Sequence, residues 1–419
     1  MKNYIRKNNG ITLIALIVTI VVLLILAGVT INLIFSENGI ILKAREASEK
    51  TNESIIKEQE VLNKADEYIN NINANIVPDK PDNPTENWDL SKVNPIESKD
   101  ETPIIVPVPK GYTASNVDGE NTVKDGFVIY EGTDEVNDTN KDTARLTKNQ
   151  FVWVPVSDIN EMYGTDSTGK KWGKTYTFSE EGITALNWEE NNGIMQLKNS
   201  TGDGSYREPD ILTSFDTDAE LSKYNIGAST QIEFNNQLED EFYSMLESVE
   251  KYGGFYIGRY ETGNLNQKEA VVVKNNNDIA MQNWYTQYNL AKTIAADTNV
   301  TTTMIWGSQW DATMRWMYES GDLNKKIYTY NSDGKGNYNS DAIIPTGTIE
   351  EYSVNNIYDM AGNVVDWTIE ANTDAYRINR GGNINHGGME DPASERYIDD
   401  SPTTNNTVYG SRVSLYISK

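Results

Sequence analysis

The chain has 419 residues, enough for one large domain with appendages or for two domains. Its formal net charge of −26 repels phosphate backbones and excludes nucleic-acid binding by electrostatics. With no cysteine and one histidine, the sequence also excludes disulfides, thiolate catalysis, cysteine-ligated zinc and multi-histidine metal centres.

At the N-terminus Lys2, Arg6 and Lys7 precede Gly10, and residues 11–35 are apolar apart from Thr12, Thr19, Gly28, Thr30 and Asn32. As a helix this run spans roughly 37 Å, enough to cross a hydrocarbon core of about 30 Å. The basic leader stays on the cytoplasmic side and sends the rest outward. The expectation is a single-pass cell-membrane protein, with a transmembrane helix at 11–35 and an extracytoplasmic C-terminal part. Gly10-Ile11-Thr12-Leu13-Ile14-Ala15-Leu16 resembles the type IV prepilin leader, covering residues 1–10. The resemblance implies cleavage between Gly10 and Ile11, methylation of Ile11, and pilus or secretion assembly subunits as partners. Ala15 replaces the glutamate usual at that position, whose carboxylate neutralises a neighbouring N-terminal amine in a filament. An uncleaved signal anchor has the same topology.

Residues 36–75 read as a helical stalk, with apolar residues such as Ile41, Ile55, Val61, Leu62 and Ile69 at irregular helical spacing. Residues 76–105, with Pro78, Pro81, Pro84, Pro95 and Pro103, read as an extended Pro-rich linker, so the domain is expected at 106–419. Its β-branched and aromatic runs at 126–130 and 150–156 predict strands, and a third is expected within 253–262. Helices are expected at 237–251, 284–296 and 308–318. The pattern is that of an α+β fold with short strands and irregular loops. Two segments imitate known loops. The stretch from Gly164 to Lys171 has the outline of a phosphate loop but lacks its final Ser or Thr, and reads as a polar turn. The Asp138 segment lacks the glycine and glutamate of an EF-hand, having Thr143 and Asn149 there.

Three motifs close the chain: Asn356-Ile357-Tyr358-Asp359-Met360-Ala361-Gly362-Asn363-Val364-Val365-Asp366-Trp367, then Arg380-Gly381-Gly382, then Gly410-Ser411-Arg412. In that order they resemble the closing signature of the formylglycine-generating-enzyme (sulfatase-modifying factor) family. Gly253-Gly254-Phe255-Tyr256-Ile257-Gly258-Arg259-Tyr260-Glu261 resembles an earlier strand of the same family. The resemblance implies a C-type-lectin-like fold, used in the family for cysteine oxidation and for ligand binding. Oxidising members carry two cysteines shortly after Arg-Gly-Gly. Those places hold His386 and about Asp391 here, so neither oxidation nor copper is expected.

Two carboxylates around a tight Gly-Asn turn suit calcium, which takes six to eight hard oxygens. By resemblance, calcium is held by the side chains of Asp359 and Asp366 and the carbonyls of Gly362 and Val364. A second family calcium site maps to Asn337 and Tyr338, with Asp341 nearby. Arg380, Arg396 and Arg412 read as structural, because buried arginine pairs with carboxylates or carbonyls. The segment after Gly382, with Asn383, Asn385, His386 and Asp391, is the candidate ligand-binding loop, facing an extracellular protein or glycan. The expected protein is non-catalytic, binding or structural, and membrane-anchored. Alternatives are a minor pilin-like subunit, a cysteine-independent enzyme on this fold, and a hypervariable receptor-binding protein.

Overall fold

A computed structural model describes residues 17–23 and 85–419, apart from 192–193, 198–204, 207, 266–268, 278–281, 296–298 and 373–374. The chain divides into two units, Met1–Pro84 and Thr85–Lys419. In the first, residues 17–23 are helical with exposed apolar side chains. Among the described residues no helix is long and apolar enough to cross a membrane. The Gly10–Ile11 junction, the expected stalk and the rest of the 11–35 run lie outside the described residues.

The second unit is mixed α+β. Its spine is a six-stranded antiparallel sheet in the order Val300–Met304, Val413–Ile417, Gly254–Gly258, Gln150–Pro155, Val128–Glu131, Tyr112–Ala114. The expected strands at 126–130, 150–156 and 253–262 are all in it. Val413–Ile417 is buried at every position, as a strand covered on both faces must be. One cover is the helix Gln231–Tyr252, whose Phe234, Leu238, Phe242, Met245 and Val249 recur at helical spacing and face the sheet. Burying each such side chain contributes about 1.5–3 kcal/mol. Thr230 caps the N-terminus by accepting from the Glu233 amide at 3.2 Å. Gly253, at φ 79°, ends it in a left-handed turn. Phe242 then packs between Tyr163 and Trp306, with ring centroids 5.4 Å from each. The helices Trp284–Ala291 and Gly307–Glu319 match the expected positions, the first stopping earlier than 296.

A second sheet of seven strands runs Trp188–Asn191, Ile194–Leu197, Ser205–Tyr206, Val365–Asn372, Arg377–Arg380, Arg396–Asp400, with Tyr409–Ser411 lying parallel to Val365–Asn372. The three closing motifs lie on or beside its inner strands. The Gly164–Lys171 stretch is a hairpin turn, with Asp166 Oδ1 accepting from the Thr168 and Lys170 amides at 2.9 Å.

One boundary differs from the sequence reading. The domain starts at Thr85, not near Val106, because residues 85–105 of the proline-rich stretch fold into it. Val93–Glu97 pairs antiparallel with Ile105–Pro109, Pro95 opposite Pro107. A two-stranded ribbon tolerates proline because each strand has an edge that needs no ladder donor. Val93, Val106 and Val108 are buried, and the Tyr256 hydroxyl donates to the Pro107 carbonyl at 3.1 Å.

Candidate functional site

The closing motifs converge. Asp366 lies opposite Arg380 in one register and beside Gly410 in the other. The Gly362 amide donates to the Gly381 carbonyl at 2.8 Å. Gly381 has φ 88°, and a Cβ there would lie 2.5 Å from the Met360 carbonyl oxygen, so no larger residue fits. Arg412 joins the third motif to the first. Its Nε donates to Asp366 Oδ2 at 3.2 Å, Nη2 to the Tyr358 carbonyl at 2.8 Å and Nη1 to the Gly258 carbonyl at 3.0 Å.

Asp359, at φ 55°, accepts through Oδ2 from Thr346 Oγ1 at 2.9 Å and from the Gly347 amide at 2.8 Å. The other oxygens, Asp359 Oδ1 and Asp366 Oδ1, are buried without a hydrogen-bond partner. Burial raises both carboxyls. Asp366 reaches about 6 against the pull of Arg412, with the charge of Asp359 pushing the same way. Two orphaned carboxylate oxygens beside one guanidinium are a donor set suited to a hard cation. Among the described residues, no three or more acidic or histidine side chains gather as a metal-ligand set. Further ligands would be backbone carbonyls, as the resemblance implies for Gly362 and Val364. Val364 itself is buried, with its side chain against Gly410.

The proposed second-site residues have other work. Asn337 donates to Asn363 Oδ1 and to the Ala342 carbonyl, both at 3.0 Å, and Tyr338 donates to the Asp391 carbonyl at 2.7 Å. Asp341 is exposed. These contacts brace the 334–346 segment against the 359–366 loop and the segment that ends at Asp391. Their hub is buried Asn363, whose Nδ2 donates to Glu261 Oε2 at 2.8 Å. The sequence reading took Asn363 for a turn residue and gave Glu261 no bridging role, since nothing local distinguishes a turn asparagine from a bridging one. Of the structural arginines, Arg380 pairs with Asp311, and Arg396 donates to Glu370 Oε2 at 2.7 Å.

All four residues of the candidate ligand loop, Asn383, Asn385, His386 and Asp391, line one cleft of about 160 Å³. His386 Nδ1 and Asp391 Oδ2 are paired at its wall, which raises the histidine pKa. Glu395 joins them, its carboxyl raised by burial and then by Asp391. Tyr397 stands at the rim, its ring 6.4 Å from that of His386. Asn379, between Trp367 and Tyr397 in the sheet register, is fully buried, and neither atom of its carboxamide has a hydrogen-bond partner. No lysine or arginine is among the cleft's lining residues. The sequence reading missed Asn379, Glu395 and Tyr397. Only the inward-facing amide in Arg377-Ile378-Asn379-Arg380 could have signalled a site, and one polar residue in a strand is a weak signal.

No family profile matches the chain, and no curated protein does. Among solved structures, the chain is similar to PvdO from Pseudomonas aeruginosa at 15% identity, over 39% of this chain and 81% of that one, with a TM-score of 0.24. It is also similar to Treponema denticola variable protein 1 at 11% identity, over 61% and 99% of the two chains, with a TM-score of 0.22. At such scores neither likeness carries an argument about fold or function.

Proposed function

We propose that this is a membrane-anchored, extracytoplasmic ligand-binding protein whose domain is formylglycine-generating-enzyme-like, with the C-type-lectin-like fold, and does no chemistry. The observation that carries this reading is the convergence of three separate motifs beside one polar cleft. At the two places where oxidising relatives carry cysteines, that cleft has a hydrogen-bonded His386–Asp391 pair. Neither residue supplies a thiolate, so the cleft can bind and orient a ligand but not oxidise a cysteine through sulfur. The exposed apolar helix at 17–23, within a 25-residue apolar run, supports the anchor. Calcium between Asp359 and Asp366, completed by the carbonyls of Gly362 and Val364, would neutralise the carboxylates and stiffen the loop beneath the cleft.

Two measurements test this reading. The purified full chain should leave a cysteine-containing sulfatase-motif peptide unmodified by mass, with or without copper. Turnover that disappears in His386→Ala would overturn the non-catalytic assignment. A fragment screen by ligand-observed NMR should return hits whose signals vanish in an Asn385→Ala, His386→Ala double variant. Hits indifferent to that variant would remove the cleft as the binding site.

A further inference from the structure

A second cavity, of about 290 Å³, shares Glu395 with the cleft and none of the cleft's other lining residues. Part of its wall is a hairpin in which Tyr176–Phe178 pairs with Ile183–Ala185, with Leu186 next in the chain. Strand alternation buries Tyr176 and Phe178 and exposes Thr177 between them. Both rings are held in place. The Tyr176 hydroxyl donates to the Glu161 carbonyl, and Phe178 packs on Tyr318 with ring centroids 6.0 Å apart. The rest of the lining is the turn after Asp391, in which the Pro392 carbonyl accepts from the Glu395 amide at 2.8 Å. That turn presents two opposite charges in succession. Arg396 is anchored by buried Glu370, which accepts from its Nε at 2.7 Å. Among the described residues Glu395 makes no ion pair, with Arg396 or any other cation. Burial and then the charge of Asp391 raise its carboxyl against the pull of Arg380 and Arg396.

The cavity therefore sets one acidic and one basic head beside an aromatic and aliphatic wall, and this combination narrows its ligand. An uncharged apolar molecule would strip water from both charges and return no hydrogen bond. A fatty carboxylate answers Arg396 but is repelled by Glu395, and an alkyl amine has the opposite fault. A free amino acid carries an ammonium and a carboxylate on one carbon, so it answers both heads at once through charge-assisted hydrogen bonds. An apolar side chain then covers Tyr176, Phe178 and Leu186 and removes their apolar surface from water. The volume lies at the lower bound of ligand pockets, roughly 300 Å³, which suits one such molecule. We propose that this cavity binds a single free amino acid with a branched or aromatic apolar side chain, its ammonium on Glu395 and its carboxylate on Arg396. The site is separate from the cleft and stands whether or not the cleft binds a ligand.

Calorimetry on the full chain, in a non-ionic detergent near neutral pH, tests this with L-leucine and L-phenylalanine. Three truncated probes accompany them: L-leucinamide lacks the carboxylate, 4-methylpentanoate lacks the ammonium, and glycine lacks the side chain. At least one of the two amino acids should bind, and each truncated probe should bind at least tenfold more weakly. Glu395→Gln should weaken binding by at least tenfold while leaving the melting temperature equal or higher, because burial disfavours the charge it removes. Leu186→Ser, at a half-buried position, should weaken binding and retain cooperative melting. The Asn385→Ala, His386→Ala double variant alters the cleft alone and should bind the amino acid as the wild type does. The proposal is overturned if neither amino acid binds, or if a truncated probe binds as tightly as the parent. It is equally overturned by binding that survives both Glu395→Gln and Leu186→Ser. Loss of binding in the double variant would place the amino acid in the cleft and overturn the separate site.

Discussion

Arg412 is the residue on which the converged motifs depend. It is fully buried and donates to one carboxylate and one carbonyl of the first closing motif and to one carbonyl of the Gly254–Gly258 strand. Removing it leaves Asp366 buried and unpaired, a loss that costs about 3–5 kcal/mol. Arg412→Ala should therefore unfold in urea at a much lower midpoint than the wild type. Arg412→Lys should recover only part of the loss, since an ammonium cannot reach all three acceptors. His386 behaves differently, being 36% exposed and paired only to Asp391. Its hydrogen bond to Asp391, opposed by burial, raises its pKa above the ordinary 6.5. A raised histidine binds its proton more tightly when folded. The pair therefore stabilises the loop below pH 6.5, and its contribution disappears as pH rises through the folded value. As the chain's one histidine, it gives a single imidazole titration by NMR. The midpoint should lie above 6.5 and return toward it in Asp391→Asn.

At the scale of elements, the 359–366 loop is where the proposed calcium would act. Asp359, Gly362 and Asn363 all have positive φ, which winds the loop tightly and brings two carboxylates into one buried space. If calcium sits there it binds only the folded form, stabilising it by about 2.7 kcal/mol when present at a hundred times its dissociation constant. A chelator should then lower the melting temperature of the full chain, and Asp366→Asn should abolish that response. A melting curve indifferent to chelation, with no calcium by elemental analysis, would leave the loop as a turn held by Arg412 and Asn363 alone. The loop's general character was legible in the sequence, because Asp, Gly and Asn at those positions have few other uses. Its braces were not. Asn337, Asn363 and Glu261 are brought together from segments up to 102 residues apart, and no local pattern encodes such a meeting.

At the scale of the molecule, Val413–Ile417 fills the sheet between Val300–Met304 and Gly254–Gly258, so the core cannot close until that late strand is available. Truncation before Val413 should leave an aggregating chain with no cooperative melting transition. At the other end, the Gly10–Ile11 junction predicts cleavage in a host with the prepilin peptidase. N-terminal analysis of the native protein should find Ile11, and Gly10→Ala should block cleavage without altering membrane insertion, since the apolar length is unchanged. A Met1 start in such a host would leave the uncleaved anchor.

By itself the sequence determined the absence of thiol chemistry, the apolar N-terminal run, the strongest helices and strands, and the loop that lines the cleft. These depend on composition or on short-range periodicity, which a chain carries without folding. Tertiary structure alone decided that Pro95 and Pro103 belong to the domain, because a ribbon's free edge becomes visible only when its partner is in place. It also decided that Asn379, one of many asparagines, is the one with an unanswered carboxamide at the cleft. Whether a polar group is satisfied depends on every segment packed around it, and those segments meet only in the folded chain.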